Sequence, residues 1–281
     1  MQFVAALFGQ GASVVFGHDW REDGVMEAVH GFARQIQPPI PLSKDDAAAE
    51  AQPLLRNLLP WPDSPHLGER DLERLSSTLR VESAGLPEEL RAPAEEVLRT
   101  DRNNDLYRYI RARGLTFLRH RLNKTCDVRL CLGGRRAGAA GRYPGVIEEA
   151  LLALRENKPL YLAGFLGGAT RQVIDAIQGK QMPDDFCGTS PFLLYQEPPV
   201  KEFSADTRDD RIIDRNAIWQ EFVTAGSAQL IATNGLTAEE NEALLHTPVI
   251  DQVIELVLIG LSRVWQHRAQ SPENMKVANG S

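Results

Sequence analysis

Two short apolar runs, each followed by glycines and then by an amphipathic segment, constrain the fold of this chain more than any other feature. The runs cover residues 128–132 and 159–163, and the amphipathic segments follow at 146–156 and 169–178. Apolar runs of this length are typical of strands buried in a sheet. Because strand, glycine loop and helix occur twice in succession, the sequence predicts a doubly wound, mainly parallel α/β sheet.

The glycines after the two runs predict an anion site. Glycine lets the backbone approach a ligand closely, and the amides at a helix N-terminus favour phosphate. We therefore expect ligand binding by a set of glycines that follow the runs: Gly133, Gly134, Gly145, Gly164, Gly167 and Gly168. Thr170 and the amides of residues 167–169 are candidates for a second phosphate cradle, and close packing of helix on strand is the alternative.

A third loop of the same kind lies between a strand at residues 12–16 and a helix at 24–36. Its candidate ligand-binding residues are Gly17, His18, Asp19 and Arg21. We expect His18 to contact a ligand rather than to act as a base. Asp19 and Arg21 are suited to ribose hydroxyls and phosphate, unless they are solvated loop charges or cap the following helix.

Charge and composition exclude several classes of partner. The net charge of −7 argues against a nucleic-acid partner, and no apolar run is long enough to span a bilayer. The N-terminus lacks the pattern of a secretory signal, so we expect a cytoplasmic protein. The three cysteines form no metal-binding or redox motif, so we expect reduced core thiols, no metal and no cofactor.

The rest of the chain predicts four regions. Residues 1–37 form the first part of the α/β domain, and 104–266 its remainder with C-terminal helices. Between them, residues 38–103 are expected to be an excursion, irregular to about residue 70 because of seven prolines and then formed by short helices. Residues 267–281 are expected to be a flexible tail.

Further elements are predicted within the last α/β part. A basic helix is expected at residues 104–122 and another helix at 211–224. Thr237 should cap a helix, with Glu240 in the capping-box position. The apolar helix at 251–265 should pack on the sheet or form a subunit interface. The segments at 181–190 and 198–210 are either a lid or surface loops.

The residues at 17–29 and 142–149 carry a resemblance to a known family. The first, Gly-His-Asp-Trp-Arg-Glu-Asp-Gly-Val-Met-Glu-Ala-Val, resembles the glycine loop and helix start of the LOG proteins, which are cytokinin-activating phosphoribohydrolases. The second, Arg-Tyr-Pro-Gly-Val-Ile-Glu-Glu, resembles their Pro-Gly-Gly-x-Gly-Thr-x-x-Glu signature. With Pro-Leu-Tyr-Leu and Gly-Gly-Ala-Thr following, the chain looks more like the wider SLOG superfamily, which includes prokaryotic relatives of the TRPM channel N-terminal region. The resemblance implies a Rossmann-like fold.

The resemblance also implies roles for charged residues. Glu149, or Glu148 if the register slips by one, takes the place of the family's catalytic glutamate. Arg119 or Arg121 takes that of the arginine upstream of the signature. A carboxylate beside ribose would stabilise an oxocarbenium-like transition state. The arginines suited to bidentate phosphate binding are Arg135, Arg136 and Arg142, with exposed loop charges as the alternative.

Two departures from the family pattern affect the expected activity. The superfamily's opening strand, with its glycine-serine loop, is not evident in the sequence. The Gly-Gly-x-Gly-Thr part of the signature is reduced to Gly145-Val146-Ile147, which removes a hydroxyl group and backbone freedom. This reduction favours binding without turnover.

The resemblance therefore implies a sensor of a nucleotide-derived ligand such as NAD or ADP-ribose, as in SLOG domains coupled to antiviral effectors of bacteria. The expected partners are this small molecule, further copies of the chain and an effector protein. The alternative is an N-glycosidase or phosphoribohydrolase that cleaves a nucleotide or NAD.

Overall fold

A computed structural model describes residues 2–17, 25–36, 53–63, 78–100, 105–138, 140–188 and 214–270. The chain divides into two compact units, Met1–Thr125 and Cys126–Ser281. Each unit is built around parallel strands with helices packed on them. The prediction of a parallel α/β fold is therefore confirmed.

The first unit contains a three-stranded parallel sheet. Its strands are β1 (Val14–Phe16), β2 (Leu55–Pro60) and β3 (Leu79–Gly85), in that spatial order, so β2 is the central strand. The register pairs Val14 with Leu55, and Leu55 with Leu79. The helices of this unit are α1 (Gln2–Gly9), α2 (Val25–Ile36), α3 (Arg91–Thr100) and α4 (Asp105–Thr125), with a short 3₁₀ turn at Glu88–Leu90.

Two apolar clusters hold these helices to the sheet. Phe8 of α1 and Val29 of α2 pack with Leu55 and Leu79. Leu118 and Leu122 of α4 instead pack with residues 58 and 84 of the sheet. Ile36, the last residue of α2, is 41% exposed.

The prediction of an irregular and helical excursion at residues 38–103 is wrong for two strands. Pro53 lies two residues before β2 and Pro60 is its last residue, so neither interrupts the central hydrogen bonds of the strand. Five of the six β2 residues are buried. Strand β3 was predicted as helix, yet pairing with β2 determines its conformation, and Glu82 forms an ion pair with Arg56 of β2 at 2.8 Å. Residues 38–52 and 64–77 lie outside the described residues.

The second unit contains β4 (Arg129–Leu132) and β5 (Leu160–Ala163), which pair in parallel. Both strands were predicted. Helix α5 (Gly145–Arg155) follows β4, and α6 (Gly168–Ile177) follows β5 after a 3₁₀ turn at Gly164–Leu166. All of β5 is buried, and Tyr161 at its centre donates a hydrogen bond to the carbonyl of Asn234 at 2.7 Å.

Three more helices lie in the described residues of the second unit: α7 (Arg215–Asn234), α8 (Ala238–His246) and α9 (Ile250–Ala269). Helix α7 continues past the predicted end at 224 and has a kink at Gly226. The capping box of Thr237 and Glu240 is confirmed. Helix α9 extends into the predicted tail as far as Ala269, and residues 198–210 and 271–281 lie outside the described part of the chain.

Candidate functional site

The two glycine loops of the second unit lie at the same edge of its sheet. Leu132 and Ala163, the last residues of β4 and β5, are register partners, so Gly133 and Gly164 follow neighbouring strand ends. Ligands of open parallel α/β sheets bind at the carboxyl ends of the strands. This edge, with the N-termini of α5 and α6, is therefore the place to examine.

The N-terminus of α6 is satisfied by the protein itself. The amide of Ala169 donates to the Gly134 carbonyl at 3.0 Å, and that of Thr170 donates to the Gly133 carbonyl at 2.8 Å. Gly168 permits this approach, because a Cβ there would lie 2.8 Å from the carbonyl carbon of Gly133. These bonds leave no anion position at the amides of residues 169 and 170, so the packing alternative describes this loop better than a second cradle.

Packing also explains why position 164 is a glycine. A Cβ on Gly164 would overlap the carbonyl oxygen of Leu245, the penultimate residue of α8. Gly167 has open space around its Cβ position and needs glycine for its positive φ of 62°. The hydroxyl of Thr170 is buried without a hydrogen-bond partner among the described residues.

The N-terminus of α5 differs from that of α6. The first bond of its ladder runs from the amide of Glu148 to the carbonyl of Pro144. Pro144 supplies no side-chain cap, and the amides of Gly145, Val146 and Ile147 have no acceptor within the described ranges. Amide donors at a helix start together with the positive end of the helix dipole form a favourable position for phosphate.

Three arginines of the first glycine loop precede this helix. Arg135 and Arg136 are exposed, and Arg136 pairs with Asp185 at 2.9 Å. Arg142 is half-buried, with its guanidinium carbon 5.3 Å from the centre of the Tyr143 ring. This cation–π contact holds a positive charge three residues before Gly145, the start of the uncapped helix.

Glu148 and Glu149 have different surroundings. Glu148 is 4% exposed. Burial raises the pKa of Tyr143, Arg142 lowers it, and Cys187 and Glu148 raise it further. Glu149 accepts a hydrogen bond from Nη1 of Arg129 at 3.0 Å. Glu149 is therefore held by a strand residue, whereas Glu148 is buried in the first turn of α5.

Arg129 is a residue that sequence reasoning missed. It is buried at the start of β4, and its partner Glu149 lies near two thiols. Burial raises the pKa of Cys131 to about 12, and the Glu149 carboxylate adds to this effect. The sequence did contain a signal for Arg129, because it is a charged residue within an otherwise apolar strand. Such a residue needs a partner of opposite charge when it is buried.

The predicted arginines at 119 and 121 lie in the first unit, on α4. Arg119 is buried, and Arg121 donates to the carbonyls of Ser83 and Ala84 at the end of β3. Arg121 therefore stabilises a strand end. Gly17, after β1, is needed for packing because a Cβ would overlap the side chain of Leu122. The other candidates of that loop, His18, Asp19 and Arg21, lie outside the described residues.

The segment after α6 also reaches the glycine loop. Asp185 accepts from Arg136 and from Nε2 of Gln172, at 2.9 and 3.1 Å. Cys187 is buried, and burial raises its pKa to about 12. Of these residues the sequence indicated only that the segment could be a lid. Gln172 gave no signal, because its role depends on the fold.

Among the described residues, no group of three histidine, cysteine or acidic side chains is arranged to hold a metal ion. No helix in the described ranges has the length and apolar character that crossing a membrane requires.

Parallel strands that end in glycine loops, with an uncapped helix start beside arginines, define the class of Rossmann-like α/β domains. The chain belongs to the SLOG family, since the family model described as SLOG cluster2 matches residues 2–244. Membership of this family indicates that the chain binds or processes a nucleotide-related ligand. Searches of curated proteins and of solved structures found no significant match.

Proposed function

We propose that the chain is a sensor that binds a nucleotide-derived ligand of the NAD or ADP-ribose type. The observation that carries this proposal is the difference between the two helix starts of the second unit. Two amides at the start of α6 donate hydrogen bonds to the carbonyls of Gly133 and Gly134. The amides of Gly145, Val146 and Ile147, at the start of α5, have no acceptor among the described residues. A phosphate therefore binds at the start of α5.

The arginines of the first glycine loop complete the phosphate site. Arg142 stacks on Tyr143 and holds its charge near the helix start, and Arg135 is exposed on the same loop. A guanidinium group binds phosphate through two parallel hydrogen bonds. A ligand with two linked phosphates can use the open amides and one arginine together, which favours a dinucleotide or ADP-ribose over an uncharged nucleoside.

Glu148 faces the ribose in this proposal. It lies in the first turn of α5, at the same edge of the sheet as the proposed phosphate. Glu149, which matches the family's catalytic glutamate by the resemblance, is held by Arg129. Binding without turnover is therefore favoured over hydrolysis.

A chromatographic time course separates the sensor from an enzyme. The purified chain is incubated with NAD, ADP-ribose, ATP and AMP, and free adenine and nicotinamide are measured. The sensor returns every compound intact, while equilibrium dialysis shows retention of at least one of them. Release of base by the wild type but not by Glu148→Gln or Glu149→Ala would establish an N-glycosidase instead.

The role in bacterial antiviral defence and the effector protein rest on the resemblance alone, and they remain part of this proposal. Their test is whether the bound nucleotide changes the activity of an effector encoded beside the chain.

A further inference from the structure

The segment at residues 181–188, called the strap below, lies against the first glycine loop. Phe186 is fully buried, and its ring meets that of Trp219 edge-on with the centres 4.9 Å apart. Arg215 of α7 donates to the carbonyl of Asp184 at 2.6 Å. The strap is therefore anchored on α7 by an apolar and a polar contact.

One strap carboxylate lies on a loop arginine. Asp185 Oδ1 accepts from Nη2 of Arg136 at 2.9 Å and from Nε2 of Gln172 at 3.1 Å. Guanidinium groups bind carboxylates and phosphates with the same donors. The Asp185 carboxylate thus occupies an anion position of the loop whose other arginines were assigned above to phosphate.

The backbone next to Asp185 is held under strain. Cys187 has a φ of 57°, which side chains other than glycine rarely adopt. Gly188 lies so close to the loop that a Cβ there would be 2.6 Å from Cβ of Ala137. Strained backbone persists where the surrounding contacts impose it, so the contacts of Asp185 and Gly188 hold the strap in this form.

We propose that Asp185 stands in for a ligand phosphate on Arg136, and that the phosphate displaces this carboxylate and frees the strap end at Cys187 and Gly188 from the loop, while Phe186 keeps its anchor on α7. This inference rests on the proposed function, since it assigns a regulatory exchange to the same nucleotide site. The side chains of Arg136 and Asp185 are 52% and 46% exposed, and ion pairs with this exposure contribute little to stability. A phosphate that also accepts hydrogen bonds from the amides at the start of α5 therefore competes successfully with the Asp185 carboxylate for Arg136.

Release of this strap end has a consequence for Cys187. Cys187 is buried, and it follows Asp185 by two residues in the backbone that the Arg136 contact holds. Displacement of Asp185 therefore exposes the Cys187 thiol.

The first test uses a matched pair of substitutions in the strap. Asp185→Asn removes the carboxylate from Arg136, and Asp184→Asn removes the same charge one residue away, at an exposed position. Titration calorimetry with ADP-ribose is expected to give about five-fold tighter binding for Asp185→Asn, because the internal competitor is weakened. Asp184→Asn is expected to bind as the wild type does.

The second test follows Cys187 by its reaction with iodoacetamide. Mass spectrometry compares labelling of Cys187 with and without saturating ADP-ribose, and the buried Cys131 of β4 is the internal reference. Ligand is expected to increase labelling of Cys187 several-fold and to leave Cys131 unchanged. Asp185→Asn is expected to increase Cys187 labelling without ligand.

The outcomes separate the two proposals. Binding of ADP-ribose with equal affinity to the wild type and both variants, together with unchanged Cys187 labelling, would overturn the exchange at Asp185 and leave the proposed function intact. An equal gain in affinity for ADP-ribose in both variants would show that the loss of one negative charge at either position is sufficient, and it would also overturn the exchange. Failure of the wild type and of Asp185→Asn to bind any of the four nucleotides would overturn both.

Discussion

The carboxylates of Glu148 and Glu149 serve different parts of the second unit, although the two residues are consecutive in α5. Glu148 is 4% exposed, whereas Glu149 forms an ion pair with Arg129 of β4. Neighbouring residues of a helix point in directions about 100° apart. The two carboxylates therefore face different surroundings, and that of Glu149 holds a buried arginine.

The different surroundings predict that one conservative substitution lowers the stability of the chain and the other lowers its affinity for the ligand. Glu149→Gln removes the charge that compensates Arg129, whose side chain is 10% exposed, and the half-exposed position of Glu149 reduces the cost. We expect the free energy of unfolding to fall by about 1–3 kcal/mol, with ligand affinity unchanged. Urea unfolding and calorimetry with ADP-ribose measure the two quantities.

Glu148→Gln is expected to weaken binding of ADP-ribose about ten-fold, because a carboxylate accepts hydrogen bonds from ribose hydroxyls more strongly than an amide does. Calorimetry under the same conditions checks this value. A ten-fold loss for Glu149→Gln, with normal binding by Glu148→Gln, would assign the ribose to the other carboxylate.

Gly168→Ala is expected to destabilise the second unit strongly. Gly168 has a φ of 65°, and a Cβ there would lie 2.8 Å from the carbonyl carbon of Gly133. Positive φ and overlap with backbone together should cost more than about 3 kcal/mol. Thermal unfolding measures the effect, with Gly31→Ala on the exposed side of α2 as the control.

Gly31 has open space at its Cβ position and no positive φ, so alanine there should be neutral or stabilise the chain by about 0.5–1 kcal/mol. An unfolding temperature for Gly168→Ala close to that of Gly31→Ala would show that the two glycine loops do not pack as described.

The elements around the glycine loops could be predicted from sequence because their signals are local. An apolar run, glycines and an amphipathic segment specify β4, α5, β5 and α6 within a few residues. Strands β2 and β3 could not be predicted in this way. Prolines beside β2 and charges along β3 favour loops and helices, and only pairing within the three-stranded sheet overrides these preferences.

Arg142 is expected to contribute most of the charge at the phosphate position. Arg142→Ala should weaken ADP-ribose binding about ten-fold, since a charged hydrogen bond to phosphate is lost. Arg108→Ala, which removes the same charge from the exposed surface of α4, should leave binding unchanged. Equal losses for both variants would indicate attraction by overall charge, which 0.5 M salt would then remove.

The buried thiols predict a loss of stability at alkaline pH. The pKa values of Cys131 and Cys187 are raised by burial from about 9 to about 12, so the folded chain binds these protons more tightly than the unfolded chain. Their contribution to stability is complete below pH 9 and is lost as the pH rises toward 12. Between pH 9 and 10.5 each thiol should lower the free energy of unfolding by up to about 2 kcal/mol.

Urea unfolding at pH 8, 9 and 10.5 measures this dependence. Cys131→Ala is expected to be less stable at every pH and to have a shallower decline above pH 9. A variant with the same decline as the wild type would show that Cys131 ionises normally in the folded chain.

The homo-oligomer expected from the sequence stays a prediction, and α9 is the place to test it. Ile254, Leu258 and Leu261 are half-buried, and Trp265 is 47% exposed, so an apolar stripe runs along one side of the helix. Trp265→Glu is expected to reduce the mass measured by light scattering, while the adjacent Gln266→Glu should not. A wild type that is monomeric at all concentrations, with and without ligand, would contradict this prediction.

Sequence reasoning identified the region of the candidate site better than its individual contacts. The open start of α5 follows from the Pro-Gly motif, which was visible in the sequence. The use of the α6 amides by Gly133 and Gly134, and the contact of Asp185 with Arg136, depend on how loops distant in sequence meet. No local pattern carries this information, so Thr170 was predicted as a ligand residue and Asp185 was not.

The most direct test of the account is a calorimetric comparison of ADP-ribose with adenosine as ligands of the wild-type chain. The phosphates provide the interactions with the α5 amides and with Arg142, so ADP-ribose should bind at least a hundred-fold more tightly (about 2.7 kcal/mol) than adenosine does. Equal binding of the two compounds, or no binding of ADP-ribose, would contradict a phosphate site at the start of α5.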